Sequence, residues 1–142
     1  MKKIILSTLT AALLGAGMAA HAENLSIGFA DPLSSLDPQL NNHAGDRSVA
    51  LHFWDLLIEN KWNKLQPGLA ESWKNIDPTT WEFKLRKDVK WQDGKPFTAD
   101  DLIYSYTRAK AVPGSVATYA GYLRTIETIT AKDAHTLIIK TN

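Results

Sequence analysis

Three local patterns in this chain of 142 residues predict an α+β fold. From Thr80 to Arg86, Trp81, Phe83 and Leu85 alternate with Glu82, Lys84 and Arg86, the period of two expected of a strand with one buried face. From Thr98 to Ala109 an N-cap threonine, the first-turn acids Asp100 and Asp101, and apolar Leu102, Ile103, Tyr106 and Ala109 at helical spacing describe a capped helix. Ile126 to Thr130 and Thr136 to Lys140 flank a Lys-Asp-Ala-His turn and read as a β-hairpin.

Taken in order, Met1 to Ala22 has the layout of an export signal: Lys2 and Lys3, an apolar run from Ile4 to Ala20, and a small-x-small site at Ala20-His21-Ala22. Cleavage is expected before Glu23. The apolar run is short and glycine-broken, which argues against a membrane anchor. With no cysteine there is no lipid-attachment residue, no disulfide and no thiolate metal site, so a soluble periplasmic product is expected. Residues 23–142 then suffice for one small domain.

Leu25 to Ala30 reads as a buried strand, ended by Pro32 and Pro38, each of which removes a donor and restricts its predecessor. Asn41, Asn42, His43 and Ala44 follow, and their plain reading is a solvated loop before a helix. Asp46 or Ser48 is expected to cap that helix, which should run to about Ile58 with Val49, Leu51, Phe53, Trp54, Leu57 and Ile58 on one broad face. His43 and His52 are too far apart for the i, i+4 pair of a metal-binding helix. Leu65 to Gly68 reads as a turn. Val89 and Trp91 continue an apolar face beyond the strand, and Asp93-Gly94 permits positive φ before Pro96. Pro113-Gly114 marks a break, and Ser115 to Leu123 is a tyrosine-bearing stretch of short helix or loop.

Composition excludes several functions. A formal net charge of +1 gives no basic stripe for nucleic acid. No nucleophile elbow, zinc-protease helix, P-loop or dinucleotide turn occurs beyond the export signal. Asp100 and Asp101 are sequence neighbours on a helix and diverge by about 100°, so they do not flank one bond as a catalytic pair. Among the five tryptophans, Trp81 and Trp91 occupy the apolar register, which favours core packing over sugar stacking.

The wording of one run is more specific than its pattern. LAESW, followed by WEFKLRKDVKWQDGKPFTADDLIYSYTRA, resembles the signature region of the family 5 solute-binding proteins, the dipeptide- and oligopeptide-binding class of ABC importers. The resemblance extends from Leu25 to about Thr141, in a family whose members are several times longer. It implies part of the large lobe of a two-lobed, type II-like periplasmic-binding-protein fold, with mixed sheets and flanking helices, incomplete at its C-terminal side. It further implies a non-enzymatic role, the capture of a peptide or related small solute for an inner-membrane permease, by a monomer without cofactor or metal. In such proteins the segment of Asn41, Asn42, His43 and Ala44 approaches the ligand, and tyrosines such as Tyr119 and Tyr122 reach the cleft. The solute itself is open among dipeptide, oligopeptide, glutathione, haem, nickel complex and sugar. Two other readings stay open: a truncated product that binds nothing, and a periplasmic enzyme.

Overall fold

The structure, a computed structural model, describes residues 25–30 and 32–142. The segment read as an export signal, Met1 to Ala22, lies outside them. The described elements are α1 (Ala44–Ala50), β1 (Ile58–Lys61), β2 (Lys64–Pro67), β3 (Ala70–Asp77), β4 (Thr80–Leu85), α2 (Ala99–Ala109), α3 (Ala120–Leu123), β5 (Ile126–Asp133) and β6 (Thr136–Thr141). β1 and β2 form a two-stranded ribbon, and the other four strands form one antiparallel sheet in the order β3-β4-β6-β5.

The alternating run becomes β4, a central strand, where its apolar residues can be covered. Phe83, Leu85 and Leu137 of the facing strand β6 are buried together with Ala70, Phe97 and Ala99, and Trp73, Trp81, Val89, Trp91, Leu102 and Ile103 close over them. Glu82 departs from the expected exposed face. It is only 6 % exposed, because Lys132 donates to it at 3.0 Å and Lys74 lies 3.5 Å away. The Lys132 hydrogen bond holds its carboxyl below the usual carboxylate range.

Gly94 has φ of 86°, and Trp91 and Lys95 close the loop around it with a 2.9 Å backbone bond. Thr98 is the N-cap of α2, as expected, and a capping box is present. Its Thr98 amide donates to Asp101 Oδ2 at 2.7 Å, so Asp101 contributes more to this end than dipole partnership alone. The helix rests against β5, where the Tyr106 hydroxyl donates to the Ile126 carbonyl at 2.9 Å. The terminal hairpin forms with Ala134 and His135 at its tip.

Three expectations are corrected. Leu25 to Ala30 is neither strand nor buried: Leu25 is 83 % exposed, and among the described strands none pairs with it. A strand's amides and carbonyls need a partner, which this segment does not find here. The helix before Ile58 stops at Ala50, capped by His43 without a side-chain bond rather than by Asp46 or Ser48. The ladder tightens to i−3 bonds at His52 and Phe53, and beyond them the Leu56 and Leu57 carbonyls accept the Leu69 and Ala70 amides at 2.8 and 2.9 Å, which ties this stretch to the chain entering β3. Gly68 permits that approach, since a Cβ there would sit 2.3 Å from the Leu56 carbonyl oxygen. Finally, Lys64–Pro67 is strand rather than turn. The turn falls at Trp62 and Asn63, whose φ values of 57° and 58° match the two positive values of a type I′ hairpin.

Candidate functional site

The segment before α1 has almost no regular structure, yet it is held firmly by polar side chains. Arg108, near the end of α2, donates through Nη1 to Asp37 Oδ1 at 3.0 Å and to Gln39 Oε1 at 2.8 Å, while Nη2 meets Asp37 Oδ2. Gln39 Nε2 donates to the Ser105 carbonyl at 3.0 Å. The Arg108 hydrogen bond keeps the Asp37 carboxyl below its ordinary range. A planar guanidinium suits this task because its forked donors engage a carboxylate and an amide oxygen together.

Past Gln39 the chain meets the stretch before α3. Asn41 and Ala117 form an isolated parallel bridge, in which the Asn42 amide donates to the Ala117 carbonyl at 3.0 Å. The Asn42 side chain donates to the Tyr122 hydroxyl at 2.9 Å. The Tyr119 hydroxyl lies 3.5 Å from the Asn41 carbonyl, and the two tyrosine rings are 6.2 Å apart and tilted by 49°. Burial pushes the Tyr119 phenol up, whereas Tyr122 is 70 % exposed.

Of the six expected site residues, Asn42, Tyr119 and Tyr122 thus come together from positions far apart in sequence. His43 and Ala44 sit beside them at the exposed start of α1, with His43 Nδ1 3.9 Å from Asp46 Oδ2. Asn41 differs from the expectation of a ligand-facing residue: it is 7 % exposed and its side chain is spent on internal bonds. Chemically, the edge offers an amide, a phenol and tilted rings, groups suited to hydrogen-bonding and covering a small organic solute. Among the described residues no cluster of His, Asp or Glu has a metal-binding arrangement, and no helix is long and apolar enough to cross a membrane.

Two structural features near this edge leave no motif in the sequence. The first is the polar set of Ser34, Asn41 and Asp46, whose separations match no motif. The second is an apolar cleft of about 280 Å³ where Trp54, Leu57, Val89, Trp91 and Leu102 face Gln39. Trp91 meets Phe97 edge-on at 6.0 Å, so it serves the core and lines the cleft at once.

The model of the bacterial extracellular solute-binding proteins, family 5 (middle region), matches residues 64–142. The periplasmic oligopeptide-binding protein OppA of Haemophilus influenzae is 40 % identical over 101 residues, covering 70 % of this chain and 18 % of that protein. The OppA of Salmonella typhimurium is 37 % identical over 123 residues, covering 85 % of this chain and 22 % of the relative. Among solved structures, H. influenzae OppA in complex with RPPGFSPFR superposes with a TM-score of 0.70 at 33 % identity, over 78 % of this chain and 25 % of that one. The murein tripeptide-binding protein MppA of Escherichia coli gives 0.71 at 32 % identity, over 79 % and 25 %. The chain therefore spans about a fifth of the length of the curated relatives it matches.

Proposed function

Because this chain belongs to the bacterial extracellular solute-binding proteins of family 5, we propose that it forms part of the periplasmic substrate-binding component of an ABC importer. That component captures peptides and delivers them to an inner-membrane permease. The observation that carries the reading is the meeting of Asn42, Tyr119 and Tyr122 at one edge, in a chain whose relatives are named for oligopeptide and murein peptide binding. The work is binding without covalent chemistry, by a monomer, and residues 1–22 direct export to the periplasm and are removed there.

In this reading Tyr122 and Asn42 supply hydrogen bonds to main-chain groups of the peptide, while Tyr119, His43 and Ala44 shape the wall beside them. Each such bond is worth about 0.5–1.5 kcal/mol net. Association alone costs about 4 kcal/mol or more, so these residues by themselves hold a peptide weakly. Small-molecule sites typically enclose about 70–90 % of their ligand, and that enclosure requires the rest of a full-length protein.

Calorimetry with tri- to pentapeptides tests this on a chimera in which these residues replace the matching part of H. influenzae OppA. Binding by the chimera, weakened by Asn42→Ala and by Tyr122→Phe, is expected. Tight binding that none of the substitutions at Asn42, Tyr119 or Tyr122 alters would remove these residues from the site. Mass spectrometry of a periplasmic extract tests the export reading, with a mature N-terminus at Glu23 expected.

A further inference from the structure

The described chain buries two polar side chains outside its main sheet, Asn41 at 7 % and Asp46 at 9 % exposure, and every bond they make leads toward the Asn42–Tyr122 pair. Asp46 Oδ1 accepts the Ser34 amide at 2.9 Å, and Oδ2 accepts the Ser34 hydroxyl. Ser34 Oγ in turn accepts Asn41 Nδ2 at 3.1 Å, and Asn41 Oδ1 accepts the Val116 amide at 3.3 Å. One residue further on, the Asn42 and Ala117 backbones are joined at 3.0 Å, and the Asn42 side chain reaches Tyr122. The bonds therefore run in an unbroken series from α1, through the segment before it, to the stretch preceding α3.

These segments contribute nothing to the buried apolar cluster. Directed bonds must then do what burial does elsewhere, and a buried acceptor left without its donor carries a large penalty. We propose that Asp46 is the positioning residue of the candidate ligand edge: through Ser34 and Asn41 it sets the alignment of Asn42 on Ala117, and so the placement of the Asn42–Tyr122 pair. The proposal rests on the peptide-binding reading for its purpose, but its geometry can be tested without any ligand.

The test is amide hydrogen exchange by NMR on the full chain, comparing wild type with Asp46→Ala. Exchange at the Asn42 and Val116 amides should accelerate about tenfold, as expected for local opening once a buried bond is lost. The Ala70 and Leu85 amides, bonded at 2.9 Å to Leu57 and His135, should change by less than about twofold. The Asn42 side-chain amide signals should move toward those of a free asparagine. Ser34→Ala should accelerate the same two amides, and the double variant should add little to Asp46→Ala, because both act in one series. Unchanged exchange at Asn42 and Val116 overturns the proposal. So does equal acceleration at Ala70 and Leu85, which would make Asp46 a residue of general stability, and so does full additivity in the double variant. A parallel titration of the chimera with Ala-Ala-Ala separates the two readings. Loss of affinity in Asp46→Ala is expected, whereas accelerated exchange with undiminished affinity overturns the peptide edge while leaving the positioning intact.

Discussion

The sheet with α2 and the polar-tied segments around Asn41 and Val116 are held by different forces. In the first, Phe83, Leu85, Leu137 and their neighbours exclude water from a continuous apolar cluster, so stability is shared among many non-directional contacts. In the second, segments with little regular structure are joined by a short series of hydrogen bonds through Asp46, Ser34 and Asn41, and are tied to α2 by the Asp37–Arg108 pair. A cluster of the first kind tolerates small shifts. A series of the second kind fails at any one link but holds its end groups in a defined direction, which is what a ligand edge requires.

The largest effect that sharpens this contrast is expected from Leu137→Ala. Leu137 is fully buried, so truncation should cost about 2–5 kcal/mol and lower the midpoint of denaturation followed by circular dichroism. Little change in that midpoint would place the cohesive part of the molecule elsewhere.

Next is the end of α2. Asp101→Ala removes the carboxylate that accepts the Thr98 amide and should cost about 1 kcal/mol. Thr98→Ala should cost less, since it keeps the 2.7 Å bond from the Thr98 backbone to Asp101 and loses the longer, 3.2 Å one from the hydroxyl. The reverse order in urea titrations would show that the hydroxyl is the principal cap.

A smaller effect of opposite sign is expected at the ribbon tip. Trp62 is 93 % exposed with φ of 57°, a conformation that costs an L-residue about 1–2 kcal/mol. Trp62→Gly relieves this at some cost in unfolded-state entropy, for a net gain below about 1 kcal/mol. A lowered melting temperature would mean that the indole makes contacts worth more than the strain.

The smallest effect on overall stability is that of acid, which acts on the polar segments through Asp37 and Asp46 and on the sheet through Glu82, where the apolar cluster still holds the strands. The carboxyls of Asp37 and Asp46 are held below their ordinary value, chiefly by hydrogen bonds from Arg108 and Ser34 respectively. A group with a depressed folded pKa contributes stability that is fully present above the ordinary value of 3.8 and is lost as pH falls through the lower folded value. Exchange at the Asn42 amide should therefore rise, relative to that at Leu85, as pH drops below about 4. Parallel behaviour of the two amides across that range would erase the distinction between the regions.

The elements legible in the sequence are those whose signals are local. The Thr80–Leu85 strand shows in its alternation, α2 in its cap and spacing, and the Gly94 turn in its Asp-Gly pair. β3 is less legible, because register shifts at Ala70/Ser72 and Asn75/Asp77 break the period of two that marks a strand. The ribbon leaves no local signal, because Trp62-Asn63 takes the left-handed conformation without the glycine that normally announces it. The apolar residues before Ile58 suggest a longer helix than forms, because their spacing promises a buried face. Phe53 and Trp54 instead remain 63 % and 40 % exposed.

The same division runs through the candidate site. Family membership, the capped helix and the residue types at Asn42, Tyr119 and Tyr122 could be read from the chain alone, since they depend on order and composition. That Asn42 meets Tyr122, that Asn41 turns inward, and that Asp46 supports the pair through Ser34 were decided only by the tertiary structure. Hydrogen bonds between residues up to 80 positions apart are made by whichever donors and acceptors folding brings within about 3 Å of each other, and no local pattern records which those will be.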